Sequence, residues 1–102
     1  IGFLTDLEKL DVEGNGFTGN IPPQISSTSE SMERLFLSYN GFSGNLPPEL
    51  ADLTNLRVLD LTSNGFTGPI PTGLGSIASL TEVYLHLNDL TGSMDEEFCL
   101  TV

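Results

Sequence analysis

Leu56-Arg57-Val58-Leu59-Asp60-Leu61-Thr62-Ser63-Asn64-Gly65-Phe66-Thr67-Gly68-Pro69-Ile70-Pro71 is the stretch that decides the fold of this 102-residue chain. Its skeleton, Leu-x-x-Leu-x-Leu-x-x-Asn, returns as Leu7-x-x-Leu10-x-Val12-x-x-Asn15, Met32-x-x-Leu35-x-Leu37-x-x-Asn40 and Leu80-x-x-Val83-x-Leu85-x-x-Asn88, at spacings of 25, 24 and 24 residues. After each asparagine the same order recurs. An apolar residue lies two positions on (Phe17, Phe42, Phe66, Leu90), then a glycine (Gly19, Gly44, Gly68, Gly92), then another apolar residue (Ile21, Leu46, Ile70, Met94). Proline follows in the first three copies, at Pro22, Pro47 and Pro71. Four copies in phase define the organisation before any single helix or strand is assigned.

The period has direct physical consequences. Leu-x-Leu at period two puts two apolar side chains on one face of a short strand and the intervening residues on the other. A coil of this length cannot bury its own apolar row. Successive coils must therefore stack, share a core and pair their strands in parallel, roughly 4.8 Å apart. Asn15, Asn40, Asn64 and Asn88 stand where the chain leaves the strand and its backbone groups lose sheet partners. An amide that both donates and accepts can satisfy those groups, so these four residues read as a structural ladder. The Asn-Gly pairs at 15–16, 40–41 and 64–65 would elsewhere signal hairpins. Within the repeat they become corner turns. Phe17, Phe42 and Phe66 are expected as a stacked row inside the solenoid, and the Pro-x-x-Leu segments as helical or 3₁₀ turns begun by proline.

These residues resemble the plant-type leucine-rich repeat, L-x-x-L-x-x-L-x-L-x-x-N-x-L-x-G-x-I-P, over nearly the whole chain. The resemblance implies an α/β solenoid: a right-handed superhelix of about four coils, with a short parallel β-sheet on the concave face and 3₁₀ or irregular turns on the convex face. Residues 1–102 then form one solenoid fragment, with coils near 4–28, 29–52, 53–76 and 77–102. The resemblance also implies a second short strand in the Gly-x-Ile/Leu-Pro segments.

The pattern breaks at two places. Ser26-Ser27-Thr28-Ser29-Glu30-Ser31 holds the extra residue and puts Ser29 where other coils have Leu4, Leu53 and Ile77, which predicts a polar, solvated bulge. In the last copy proline gives way within Met94-Asp95-Glu96-Glu97-Phe98-Cys99, as expected of a terminal repeat running into a cap. In secreted members of the family that cap is usually disulfide-bonded, which would place the partner of Cys99 beyond Val102. Three consecutive acids lack the spaced ligands of a calcium loop, so no metal is expected at 95–97. No capping helix or cysteine pair precedes Leu4, so both ends of the core are expected to be open and prone to end-to-end self-association.

Composition narrows the function. Asp and Glu number 14 against 3 Lys and Arg, for a formal net charge of -11. Such a balance repels nucleic-acid phosphates. No apolar run approaches the roughly 20 residues that span a bilayer. A single cysteine, Cys99, allows neither a disulfide framework nor a cysteine-based metal cluster within the chain. The start, Ile1-Gly2-Phe3-Leu4-Thr5-Asp6, carries no leader pattern; either a signal peptide has been removed or the segment begins mid-protein. There is no phosphate loop, nucleophile elbow or histidine pair, and His86 has no nucleophile beside it in its coil, so neither catalysis nor a cofactor is expected.

What remains is the outward row of the strands, the face on which leucine-rich repeat proteins hold ligands. Its candidate residues are Lys9, Asp11 and Glu13; Arg34, Phe36 and Ser38, with Tyr39 adjoining; Asp60 and Thr62, beside Val58; and Glu82, Tyr84 and His86, with Leu87 adjoining. Phe36 and Tyr84 share a column with Asp11 and Asp60, complementary to a partner with apolar and basic groups. The resemblance to receptor-like kinase ectodomains and polygalacturonase-inhibiting proteins implies an extracellular module in signalling or defence that binds a protein or peptide. The alternative is a structural or surface-binding protein that presents the row Thr18, Ser43, Thr67 and Thr91 to ice or a cell-wall polymer.

Overall fold

The computed structural model describes residues 7–91. Each coil contributes two strands. The first set is β1 (Lys9–Asp11), β3 (Arg34–Phe36), β5 (Val58–Asp60) and β7 (Glu82–Tyr84); the second is β2 (Thr18–Gly19), β4 (Gly41–Asn45), β6 (Gly65–Pro69) and β8 (Asp89–Thr91). Both sets pair in parallel, in the orders β1-β3-β5-β7 and β2-β4-β6-β8. Between one coil and the next run 3₁₀ segments at Pro23–Thr28, Pro48–Asp52 and Thr72–Ser76. Of the two kinds of turn the proline pattern allows, the tighter one forms at all three positions. Pro23 and Pro48 open the first two segments, where a missing N–H and a fixed φ suit a helix start.

The inward row of the first sheet is the core. Leu35, Leu59 and Val83 are buried, as are Leu37 and Leu61 two residues on, and the 3₁₀ row packs Ile25, Leu50 and Leu74 against them. Burying each such side chain fully contributes about 1.5–3 kcal/mol. The neighbouring coils make that burial possible, so stability is a property of the stack. Electrostatics adds little: the ion pair among the described residues, Arg57 Nη1 to Glu33 Oε1 at 3.7 Å, is exposed on both sides.

The asparagine ladder forms as expected, and it has a direction. Nδ2 of Asn64 donates to Leu61 O and Thr62 O of its own coil and to Leu37 O of the coil before, while its Oδ1 accepts from Phe42 N–H. Asn40 serves Val12, Asn15 and Phe17 in the same manner, and Asn88 serves Leu61 and Phe66. Among the described residues, Asn15, in the first coil, donates only within its own coil, to Val12 O and Glu13 O.

Three expectations are refined by the structure. The aromatic row is stacked, Phe17 on Phe42 at 6.5 Å and Phe42 on Phe66 at 6.2 Å between centroids. Only Phe42 and Phe66 lie inside; Phe17 is 48% exposed because its outer side faces no described coil. The second strand begins earlier than the Gly-x-Ile/Leu-Pro segment, since β4 and β6 end at Asn45 and Pro69, before Leu46 and Ile70.

The inserted residue lies elsewhere too. Thr28, not Ser29, takes the interior position of Leu53 and Ile77, fully buried with Oγ1 donating to Ile25 O at 2.7 Å. Ile25 to Thr28 spans the same three residues as Leu50 to Leu53, so the extra residue falls between Thr28 and Met32, where Met32 N–H bonds back to Thr28 O. The polar bulge is therefore a longer turn around a buried threonine. The chain before residue 7 and after residue 91 lies outside the described residues, and with it Leu4, the expected cap, Cys99 and the acids at 95–97.

Candidate functional site

The outward face of the first sheet is built by strict register. Lys9 pairs with Arg34, Arg34 with Val58 and Val58 with Glu82; two residues on, Asp11 pairs with Phe36, Phe36 with Asp60 and Asp60 with Tyr84. Equivalent residues of successive coils thus stand side by side in straight columns, about 4.8 Å apart. One column alternates acid and aromatic. The other runs from two cations to an anion.

The carboxylates of the alternating column are held alike. Asp11 Oδ1 accepts from Glu13 N–H at 3.2 Å and Asp60 Oδ1 from Thr62 N–H at 3.1 Å, the same turn in two coils. Each keeps its second oxygen outside that turn. The ammonium of Lys9 sits over the half-buried ring of Phe36, 5.7 Å from its centroid. Tyr84, 40% exposed, donates its hydroxyl to Glu82 Oε1 at 2.8 Å. That bond, reinforced by the Glu82 charge, slight desolvation and the Asp60 charge, raises the phenol above its usual 10.0.

Not every expected residue reaches this face. Lys9, Asp11, Glu13, Arg34, Glu82, Tyr84 and His86 are exposed, and Phe36, Val58 and Asp60 half-buried. Ser38 and Thr62 are buried, at 1% and 4% exposure, which corrects their assignment to the outward row. Alternation of faces holds only while the backbone is extended. β3 and β5 end at Phe36 and Asp60, so Ser38 and Thr62 lie beyond the strands, and their short side chains, with a described coil on either side, are covered, whereas Glu13 and His86 at the same step of the outer described coils stay exposed. Ser38 Oγ has no hydrogen-bond partner among the described residues.

The turn itself places features that periodicity missed. Gly14, Tyr39, Ser63 and Leu87, each just before its ladder asparagine, all have positive φ, at 69°, 56°, 60° and 60°. A side chain there ordinarily costs about 1–2 kcal/mol. Tyr39 and Leu87 nonetheless project from the rim, 57% and 65% exposed. The signal available in the sequence was Gly14 at the first of these positions.

The second sheet is organised differently. Thr18, Ser43, Thr67 and Thr91 are all exposed, but β4 and β6 pair Ser43 with Gly65 and Asn45 with Thr67. Equivalent residues are offset by two positions, about 6.6 Å along the strand, so the hydroxyls form an oblique row. Thr67 Oγ1 also donates to Asn45 Oδ1 at 3.3 Å. Among the described residues no three His, Cys, Asp or Glu side chains are gathered to hold a metal ion, and no helix is long and apolar enough to cross a membrane.

With repeat, ladder and sheets in place, comparison with known families is decisive: the leucine rich repeat profile matches residues 5–66. The chain belongs to the leucine-rich repeat family. Among solved structures it is similar to the PEPR1–AtPEP1 complex, with 35% identity over 98% of this chain and a TM-score of 0.89. It is similar also to the ectodomain of the plant membrane receptor kinase GASSHO1/SCHENGEN3 from Arabidopsis thaliana, in complex with CASPARIAN STRIP INTEGRITY FACTOR 2, with 32% identity over 95% and a TM-score of 0.89. A plant ice-binding protein shares 34% identity over 96% of the chain, with a TM-score of 0.86. This leucine-rich repeat chain spans only 14%, 12% and 31% of those three chains. No curated protein sequence matches it.

Proposed function

We propose that this leucine-rich repeat segment is a non-catalytic recognition module that binds a protein or peptide on the outward, concave face of its first sheet. It works outside the cell or at its surface, as part of a larger receptor-like or secreted protein. One observation carries the reading: Asp11, Phe36, Asp60 and Tyr84 stand in direct register, an ordered array whose identities the core leaves free. Solvated aromatics backed by a rigid sheet are the usual anchors of binding energy. Two of the similar structures are named as complexes with AtPEP1 and CASPARIAN STRIP INTEGRITY FACTOR 2, in support of a polypeptide partner. The net charge of -11 favours a basic one, whose encounter should quicken at low salt.

Similarity to the ice-binding protein supports a second reading on the row Thr18, Ser43, Thr67 and Thr91. The oblique offset of that row and the engagement of Thr67 by Asn45 count against a regular hydroxyl lattice. Panning a displayed random-peptide library on the chain separates the two. Recovered binders should lose affinity for the Phe36→Ala and Tyr84→Ala variants and keep it for Thr18→Ala and Thr67→Ala. Binders indifferent to the aromatics, together with inhibition of ice recrystallisation that vanishes in the threonine variants, would overturn the recognition reading.

A further inference from the structure

The spacing of the alternating column constrains what can lie along it. Asp11 and Asp60 are two strands apart, as are Phe36 and Tyr84, so each like pair repeats at about 9.6 Å. A polypeptide laid across the strands must present matching groups at that interval on one side. In a β-strand, residues three apart cover about 10 Å but point to opposite faces. Residues six and seven apart in an α-helix advance about 9.0 and 10.5 Å, on either side of the interval. A polyproline II chain has three residues per turn and about 3.1 Å per residue, so every third side chain faces the same way at about 9.3 Å.

We infer that the concave column takes a polyproline II peptide with cationic side chains three residues apart, Lys/Arg-Pro-Pro-Lys/Arg-Pro-Pro, the cations facing Asp11 and Asp60. This rests on the reading of that face as the binding surface. With one cation at Asp11, the two prolines that follow are level with Phe36, one strand along, and the next pair with Tyr84, their rings turned about 120° to either side of the column. The order of such a helix is largely prepaid by its ring-locked backbone.

Two features of the face support a cation here. Both carboxylates are fixed by the same turn to a backbone N–H, which orients them identically before any ligand arrives. The chain also supplies its own occupant: Lys9 Nζ rests over Phe36, between Asp11 and Asp60 in column order. That ammonium competes with the ligand. Removing it should tighten binding.

The test is titration of the full chain with synthetic (Lys-Pro-Pro)₃, followed by calorimetry at low and moderate salt. The controls keep composition and length but move the lysines to two-residue and four-residue spacing, and one variant replaces lysine by glutamate. Correct spacing should bind at least about fivefold more tightly than either shifted peptide, and the glutamate peptide should not bind. Asp60→Asn should weaken the match, and Lys9→Gln should strengthen it about two- to fivefold, the range of an exposed cation–π contact.

Equal binding of all lysine peptides, abolished together by salt, would mean mere polyelectrolyte attraction and overturn the inference. If none binds while library-derived ligands still depend on Phe36 and Tyr84, the inference falls and the recognition reading stands. If library ligands ignore the aromatics as well, both fall.

Discussion

Replacing Asn64 by alanine tests whether the ladder or the leucine core holds adjacent coils together. The amide is held at 2.9 Å to Leu37 O and 3.2 Å from Phe42 N across the coil boundary, and at 3.1 Å to Leu61 O within its own coil. In the alanine variant Phe42 N–H loses its partner in a half-buried setting, where water reaches it poorly, while Leu37 O and Leu61 O keep the amides of Asn40 and Asn88. An orphaned buried group costs about 1–3 kcal/mol, and partial exposure keeps this one in the lower part of that range, so the loss should be about 1–2 kcal/mol. Asn15→Ala is the internal control. Among the described residues its amide donates only within its own exposed coil, and Val12 O keeps the Asn40 amide, so about 0.5 kcal/mol is expected. Urea titration followed by far-UV circular dichroism reads the difference. With a slope of about 1.5–2 kcal/mol/M, the Asn64 variant should unfold about 0.5–1.3 M earlier and the Asn15 variant by less than about 0.4 M. Asn64→Leu keeps the number and branching of side-chain heavy atoms and removes the hydrogen bonds, so it should lose at least as much as alanine. Equal losses at positions 15 and 64, or recovery in the leucine variant, would refute the directional ladder in favour of packing alone.

Phe66→Ala should cost about 3–5 kcal/mol by the same titration, because the ring is fully buried and stacked on Phe42. Phe17→Ala, at the half-exposed end of the row, should cost about 1 kcal/mol or less. Gly68→Ala combines a positive φ of 75° with a new methyl pressed onto the Asn45 carboxamide, whereas Gly16 has φ of 72° and open space around it. Thermal unfolding should therefore drop further for Gly68→Ala than for Gly16→Ala, whose loss is conformational alone, about 1 kcal/mol. In a Tyr39→Phe background, phenolate absorbance should show Tyr84 titrating above 10.0, and Glu82→Gln should lower it. The shift is upward, so folding favours the neutral phenol. Any contribution is complete below the ordinary value and fades as the pH climbs past the raised one.

Much of the candidate site was legible in the sequence because strands of the first sheet pair equivalent residues. Counting alternate positions from the repeat was enough to put Asp11, Phe36, Asp60 and Tyr84 in one column. The same counting failed at Ser38 and Thr62, two residues past the strand end, where short side chains with a coil on either side are covered, although Glu13 and His86 at the same step are exposed. It failed again at Thr28, since an insertion can be placed before or after a residue without changing the period. Lys9 over Phe36 is a diagonal contact between coils, visible only when two strands are laid side by side.

The sequence by itself determined the repeat, its parallel stacking, the inward leucines and the role of the ladder asparagines. Each of these follows from burying one apolar row per coil and satisfying one turn per coil, demands that recur every 24 or 25 residues. Only the tertiary structure decided the shear between the two sheets. The first aligns Leu35 with Leu59, 24 residues apart, while the second aligns Ser43 with Gly65, 22 apart. One repeat serves both sheets, and the different register on its two sides arises from how whole coils settle against one another, a relation between coils that the pattern within a coil does not contain.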